Sequence, residues 1–300
     1  MNRILATIIF SFFLSFGFAQ NGKIISKKLV DISQTPIWSR ISQDNELHYD
    51  FEHLKKLNFY FITYQSDSLE VQGIVVEPKK DGKYPVVIFN RGGNRDFSPL
   101  NLGTMMNYTS KLAVQGYVII GSNYRKKDEF GGTEINDVLY LTETVKEIEK
   151  ADSKAIGMFG WSRGGMMTYL ALKKSNKIKT AIIGNGASDL FYTIVERPIL
   201  ETNVFAECIP DYWKNKEAEL KKRSAIYWAD ELDKSSSLLI LCGTNDKRVN
   251  PAQAEKIAKK LSEINYDFEL KKFETDHYFT EYKDELNELV IDWFNKQLKK

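Results

Sequence analysis

Gly160-Trp161-Ser162-Arg163-Gly164 sets a serine between two glycines, each two residues away. An apolar run, Ala155 to Gly160, leads into it, and a helix-forming run, Gly165 to Lys174, leads away. A serine at such a strand-to-helix turn stands exposed at the carboxyl edge of a sheet. Glycines beside it let neighbouring backbone approach without a Cβ clash. The following helix aims its free N–H groups at the same spot. This arrangement suits nucleophilic acyl transfer, which needs a base beside the hydroxyl. The chain has three histidines, His48, His53 and His277, and only His277 follows the serine. At turns of this kind the partners follow in the order serine, acid, histidine, so His277 is the expected base. It sits in Thr275-Asp276-His277-Tyr278-Phe279, just past the last strand-like run.

The acid has two candidates at strand ends. Asp246 closes Leu241-Cys242-Gly243-Thr244-Asn245-Asp246, and Asp189 follows Gly186-Ala187-Ser188. Asp276 adjoins the histidine, but neighbouring residues seldom turn their side chains toward each other. Asp246 is preferred, to hold the imidazole tautomer and stabilise the imidazolium. A developing oxyanion also needs donors. The Arg163 N–H is the first. The second is expected from Asn90-Arg91-Gly92-Gly93, at Gly93 with Gly92 beside it.

The elements that must hold these groups follow a regular rhythm. Strand-like runs span 59–64, 71–76, 86–89, 117–121, 155–160, 180–184, 238–242 and 268–273. Helical runs span 104–115, 135–151, 165–174, 252–264 and 282–298. Short apolar strands alternating with helices predict a mainly parallel central sheet with helices on both faces. The first two runs, joined by Ser66-Asp67-Ser68, predict an antiparallel edge. Residues 20–56 read as an N-terminal extension, with a helix starting at Trp38. Residues 187–236 are too long for a simple crossover and are rich in aromatics. They read as a helical cap insertion over the site or as a helix pair on the flank. In the cap reading Trp213 and Trp228 line the substrate pocket, and Arg91 or Arg95 binds an anionic group there.

Composition narrows the class. The chain has 300 residues, 43% hydrophobic and 27% charged, enough for one large core. Lys and Arg total 42 against 40 acidic residues, a formal charge of +2, so no basic groove for nucleic acid is expected. His48, Glu52 and His53 form a poor metal set, and neither metal nor cofactor is expected. Met1-Asn2-Arg3, the apolar run to Phe18, and Gly17-Phe18-Ala19 read as a signal peptide cut after Ala19. The chain is therefore expected in a secreted or periplasmic location, off the membrane once cleaved. Cys208 and Cys242 are expected to stay free thiols.

Three segments in order carry a resemblance: Ser122-Asn123-Tyr124-Arg125, Gly160-Trp161-Ser162-Arg163-Gly164-Gly165, and Gly243-Thr244-Asn245-Asp246-Lys247-Arg248-Val249. From about Tyr84 onward the chain resembles the hydrolase domain of the prolyl oligopeptidase family of serine peptidases. The resemblance implies the α/β-hydrolase fold and matches Ser162, Asp246 and His277 to the catalytic triad. It makes Arg125 and Asp137 a structural pair. Two departures stand out. The family's larger members carry an N-terminal β-propeller, for which the roughly sixty residues before the sheet leave no room. Arg91-Gly92-Gly93 stands where the family usually has His-Gly-Gly. The expected activity is hydrolysis of short peptides through an acyl-enzyme. A carboxylesterase or deacetylase on small or carbohydrate-linked esters is the alternative, and a non-catalytic binding protein the third reading.

Overall fold

A computed structural model describes residues 20–299, so the signal-peptide segment lies outside the described residues. The described residues form eleven strands: β1 (Ile24–Leu29), β2 (Ser42–Gln43), β3 (Glu46–Leu47), β4 (Leu57–Ser66), β5 (Leu69–Pro78), β6 (Tyr84–Asn90), β7 (Val118–Ser122), β8 (Ala151–Trp161), β9 (Ile178–Gly184), β10 (Ser237–Gly243) and β11 (Phe268–Phe273). The β2–β3 pair is a small separate ribbon. The other nine form one sheet in the order β1-β4-β5-β7-β6-β8-β9-β10-β11. From β7 to β11 every pairing is parallel. The β1–β4, β4–β5 and β5–β7 pairings are antiparallel and extend the sheet at one end. This is the α/β-hydrolase architecture.

Alternation along each strand sends successive side chains to opposite faces. Val86 and Ile88 enter one core with Val118, Ile120, Met158, Ile183 and Ile240. Val87 and Phe89 enter the other with Ile119, Phe159, Ile182 and Leu241. Among the described residues ten α-helices accompany the strands: α1 (Trp38–Ile41), α2 (Leu102–Val114), α3 (Ile135–Leu139), α4 (Leu141–Thr144), α5 (Arg163–Lys174), α6 (Leu190–Glu196), α7 (Ala206–Cys208), α8 (Tyr212–Arg223), α9 (Ala252–Glu263) and α10 (Lys283–Leu298). The second core is closed by α2 and α10 through Met105, Leu112, Val290 and Phe294. The first is closed by α3, α5 and α9 through Val138, Met167, Leu170 and Ile257. Trp293 reaches from α10 to donate its indole N–H to Thr180 Oγ1 at 2.8 Å.

Three elements differ from the sequence expectation. The extension at 20–56 contributes β1 to the main sheet, pairing Lys27 with Ile62 and Leu29 with Tyr60. The helix expected over 135–151 is broken into α3, α4 and one tight turn, and Ala151 already opens β8 against Tyr84. The helix after Ser162 starts at Arg163, two residues early. Both edges of the sheet carry paired lysines, Lys27-Lys28 on β1 and Lys271-Lys272 on β11, and all four are exposed.

Residues 187–236 leave the sheet after β9 and return before β10. Their first part, α6 through α7, continues at the carboxyl edge. Their second part, after α8, lies against the flank of α5, where Trp228 stacks under the Lys173 ammonium at 4.7 Å. No helix among the described residues is long and apolar enough to cross a membrane.

Candidate active site

The Ser162 backbone is fixed before its side chain is considered. Its φ of 58° and ψ of −124° form a sharp corner between β8 and α5. Its N–H donates to the Gly184 carbonyl at 2.8 Å, and its carbonyl accepts from the Gly165 N–H at 2.9 Å. The corner requires glycine at 164, because a Cβ there would press on the Asn90 carbonyl oxygen at the end of β6. Gly92 then passes so near that a Cβ on it would lie 3.1 Å from Ser162 Cβ. The Gly92-Gly93 loop, where the second oxyanion donor is expected, and the serine are therefore close neighbours. Arg163 opens the helix, so its N–H has no intrahelical acceptor and is free for a ligand.

His277 comes from the loop between β11 and α10. Its Nδ1 lies 2.6 Å from Asp246 Oδ2, and the Asp246 side chain is fully buried. The other Asp246 oxygen accepts the N–H groups of Arg248 at 2.7 Å and Val249 at 3.0 Å. These bonds aim the carboxylate at the imidazole and make Nδ1 the protonated nitrogen. The histidine loop is pinned from below. The His277 carbonyl accepts from Trp161 Nε1 at 3.1 Å and Asn185 Nδ2 at 3.0 Å, and Asn185 Oδ1 accepts the Gly243 N–H at 2.8 Å. Asn185 thus ties the end of β9 to the ends of β10 and β11. Nothing in the sequence singled it out, although its place directly after an apolar strand was visible.

Ser162, His277, Gly92, Gly93 and Arg163 line one cleft of about 190 Å3. Among the described residues no hydrogen bond joins Ser162 Oγ to His277. Its wall is apolar at Phe130, Leu190, Leu200, Val204 and Val249. Three of these come from the first part of the 187–236 interval. The expected aromatics do not reach the cleft. Trp213 is 63% exposed on the outer surface of α8, and Trp228 is buried on the flank with its indole N–H bonded to the Lys221 carbonyl at 3.1 Å. A run of aromatics has no periodicity that reveals which of them faces the site.

The arginines are also rearranged. Arg91 lies along the cleft wall, but its guanidinium is committed to carbonyls, with Nη2 3.1 Å from that of Asn123 and Nη1 3.0 Å from that of Gly92. It therefore braces its own loop instead of offering a charge to a ligand. Burial pulls its pKa down. Arg95 pairs with Glu207 and donates to the Asn203 carbonyl at 2.7 Å, joining the Gly92-Gly93 loop to the interval above it. Two further arginines, Arg197 and Arg248, line the cleft, with Arg197 Nη1 donating to the Arg248 carbonyl at 3.1 Å.

The remaining candidates have other tasks. Asp189 caps α6, accepting the Tyr192 N–H at 3.1 Å, and does not meet His277. The Asp276 carboxylate folds back on the Tyr278 and Thr280 N–H groups. Arg125 and Asp137 form a buried pair, 2.7 Å apart, that also holds Asp67 at the β4–β5 turn. His53 bonds Ser110 Oγ at 2.8 Å and does not line the cleft. Among the described residues no group of three or more His, Cys, Asp or Glu side chains is arranged to hold a metal.

One buried polar cluster beside the cleft was not foreseen. The Arg163 side chain is buried between Asp128 and Glu134, at 2.6 Å from each, and lies over the Phe130 ring at 4.7 Å. Burial alone would raise the Asp128 carboxyl, but the Arg163 charge and the N–H groups of Arg95 and Phe130 hold it below its ordinary value. Burial likewise opposes the Arg163 charge, and the two carboxylates overcome it. The sequence signal was an arginine at the start of a buried helix and acids flanking Gly131-Gly132.

Residues 111–300 match the model of the prolyl oligopeptidase family. The uncharacterized peptidase YtmA of Bacillus subtilis (strain 168) is 25% identical over 232 residues, covering 74% of this chain and 87% of that protein. The acylamino-acid-releasing enzyme of Rattus norvegicus is 22% identical over 227 residues, covering 67% of this chain and 30% of the rat protein. Among solved structures, Pyrococcus horikoshii acylaminoacyl peptidase superposes with a TM-score of 0.69 at 21% identity, over 84% of this chain and 43% of that one. The chain spans less than half the length of the rat and Pyrococcus horikoshii proteins, and the structural likeness shows the shared fold.

Proposed function

The chain belongs to the prolyl oligopeptidase family and is a serine hydrolase, and from that premise we propose that it is a peptidase acting on short peptides. Ser162 attacks the scissile carbonyl while His277 Nε2 takes its proton. Asp246 keeps the imidazole in the tautomer that leaves Nε2 free to accept. The N–H groups of Arg163 and Gly93, with Gly92 beside them, stabilise the oxyanion. The imidazolium then protonates the leaving amine, and water hydrolyses the acyl-enzyme by the same path. The observation that carries this reading is the 2.6 Å contact between His277 Nδ1 and Asp246 Oδ2, on a ring that shares its cleft with Ser162.

The substrate class rests on size and lining. A cleft of about 190 Å3 is smaller than the 300–1,000 Å3 typical of drug-sized ligands, so it suits one side chain or a small acyl group. Its apolar wall favours an uncharged acyl residue, and Arg197 and Arg248 offer donors to the peptide beyond it. Esters with the same acyl group would be cleaved as well, because their leaving groups are better. The test is a panel of aminoacyl and N-acyl-aminoacyl p-nitroanilides set against matched esters, run on wild type and Ser162→Ala. Amide turnover abolished by Ser162→Ala supports the reading. Ester turnover with no amide turnover would replace it with a carboxylesterase.

We further propose that the chain is exported and matured by cleavage after Ala19. Met1-Asn2-Arg3 and the apolar run to Phe18 support this. N-terminal sequencing of protein recovered outside the cytoplasm should start at Gln20. A cytoplasmic chain that keeps Met1 would refute it.

A further inference from the structure

The Arg163 side chain has a connection that its backbone role does not require. Besides Asp128 and Glu134, its Nη1 donates to the Gly93 carbonyl at 3.0 Å. Asp128 Oδ2, which takes one bond from Arg163 at 2.6 Å, takes another from the Arg95 N–H at 2.6 Å. A single buried ion pair therefore grips the oxyanion loop at two backbone points of opposite polarity. Because peptide units are planar, these two bonds orient two successive planes, Gly93–Asn94 and Asn94–Arg95. The loop needs an outside restraint. Its φ is +70° at Gly93, +48° at Arg95 and +58° at Ser98, and the left-handed region is unfavourable for the last two residues.

The geometry points to the Arg163 side chain, with Asp128, as a positioning residue for the oxyanion hole: it holds the Gly92-Gly93 backbone against Ser162. The residue that follows the nucleophile thus supplies one donor through its own N–H and orients the loop that carries the other. Burial of the cluster by itself would not call for this. A buried ion pair is often replaceable by apolar side chains of similar volume without loss of stability. An apolar residue at 163 would leave the Gly93 carbonyl without its donor. A shift of about 1 Å at such a site costs on the order of 10²-fold in rate.

This inference rests on the acyl-transfer reading of Ser162 and deepens it. The test uses Arg163→Lys, which keeps the charge but not the fork, and Asp128→Asn, which keeps the shape but not the charge. Both are compared with wild type and Ser162→Ala on the best chromogenic substrate, with circular dichroism and thermal unfolding in parallel. The expected result is a fall in kcat of about 10²–10³ for Asp128→Asn, the scale of a lost oxyanion donor, with KM within about threefold. Arg163→Lys should lose less, because one of its donors can still reach Asp128. An aryl boronic acid, which bonds to the serine and sets an oxygen in the oxyanion hole, should weaken by the same factor as kcat. The carboxylate product of the substrate, a ground-state competitor, should bind unchanged. Wild-type kcat in both variants would overturn the inference and leave the triad untouched. Equal losses in kcat, boronate and product binding, or failure of both variants to fold, would reduce the cluster to a folding element and also overturn it. Turnover surviving in Ser162→Ala would refute the reading beneath it instead.

Discussion

Replacing Ser162 by glycine should stabilise the protein relative to replacing it by alanine, the reverse of the usual order. The dihedrals at Ser162, φ 58° and ψ −124°, match the first central position of a type II′ turn, which glycine dominates. A residue with a Cβ held in such a sparse region costs about 1–3 kcal/mol. Alanine keeps the Cβ and therefore the cost. Glycine removes it but gives the unfolded chain more freedom, which takes back about 0.4–1 kcal/mol. The net expectation is about 1 kcal/mol in favour of Ser162→Gly, a rise in Tm of roughly 2 °C for a domain of this size. Both variants lack the nucleophile, so hydroxyl chemistry cancels and the comparison isolates the backbone. Urea and thermal unfolding of the two proteins, with Ser162→Ala as the reference, measure it. If glycine came out less stable than alanine by more than about 0.5 kcal/mol, the elbow would not be a strained corner as argued.

The acid is decided by Asp246→Asn against Asp189→Asn: the first should lower kcat by up to about 10⁴ through the wrong imidazole tautomer, the second should leave kcat near wild type, because asparagine caps a helix about as well as aspartate. Leu200→Ala should raise KM for substrates with a bulky apolar acyl residue, whereas Trp213→Ala should leave kinetics alone and Trp228→Ala should cost about 3–5 kcal/mol of stability without changing selectivity. The folded Asp128 carboxyl titrates below its ordinary value of 3.8, so its contribution is complete above that value and is lost as pH falls through and below it. The urea midpoint of wild type should therefore drop more steeply below about pH 4 than that of Asp128→Asn. Burial pushes the thiols of Cys208 and Cys242 up to about 11, so iodoacetamide at pH 8 should label neither until denaturant is added.

The candidate nucleophile and base could be picked out for a simple reason. A serine elbow has a local sequence requirement, and only one histidine follows it. Asp246 was legible as the end of an apolar strand, because strand ends at one edge converge in a parallel sheet. The cleft wall was not, since it depends on how a long helical interval folds back. Leu190, Leu200 and Val204 have no spacing that separates them from ordinary core residues. In the Arg163–Asp128–Glu134 cluster the arginine lies 29 positions from the nearer acid and 35 from the other, and charge patterning along the chain does not report such contacts. Of the fold, the buried strands were readable as apolar runs. β1 was missed because five of its six residues are exposed and two are lysines. The helix over 135–151 was misread because its periodicity runs on through residues whose backbone has already turned toward β8.

The same lysines bear on how the protein survives at high concentration. A nine-stranded sheet ends in two rows of unpaired N–H and C=O groups, and each is a template for another chain. With a formal charge of only +2, long-range repulsion offers little protection. On β1 the exposed Ile25 and Leu29 flank the open edge, with Phe61 on the neighbouring strand, and would favour stacking of molecules edge to edge. Lys27-Lys28 at that edge and Lys271-Lys272 at the other oppose it, because docking a second strand would strip water from an ammonium group. Colloidal behaviour would then depend on four residues and not on the net charge. Neutralising either pair should turn an enzyme with an intact cleft into one that aggregates through its sheet.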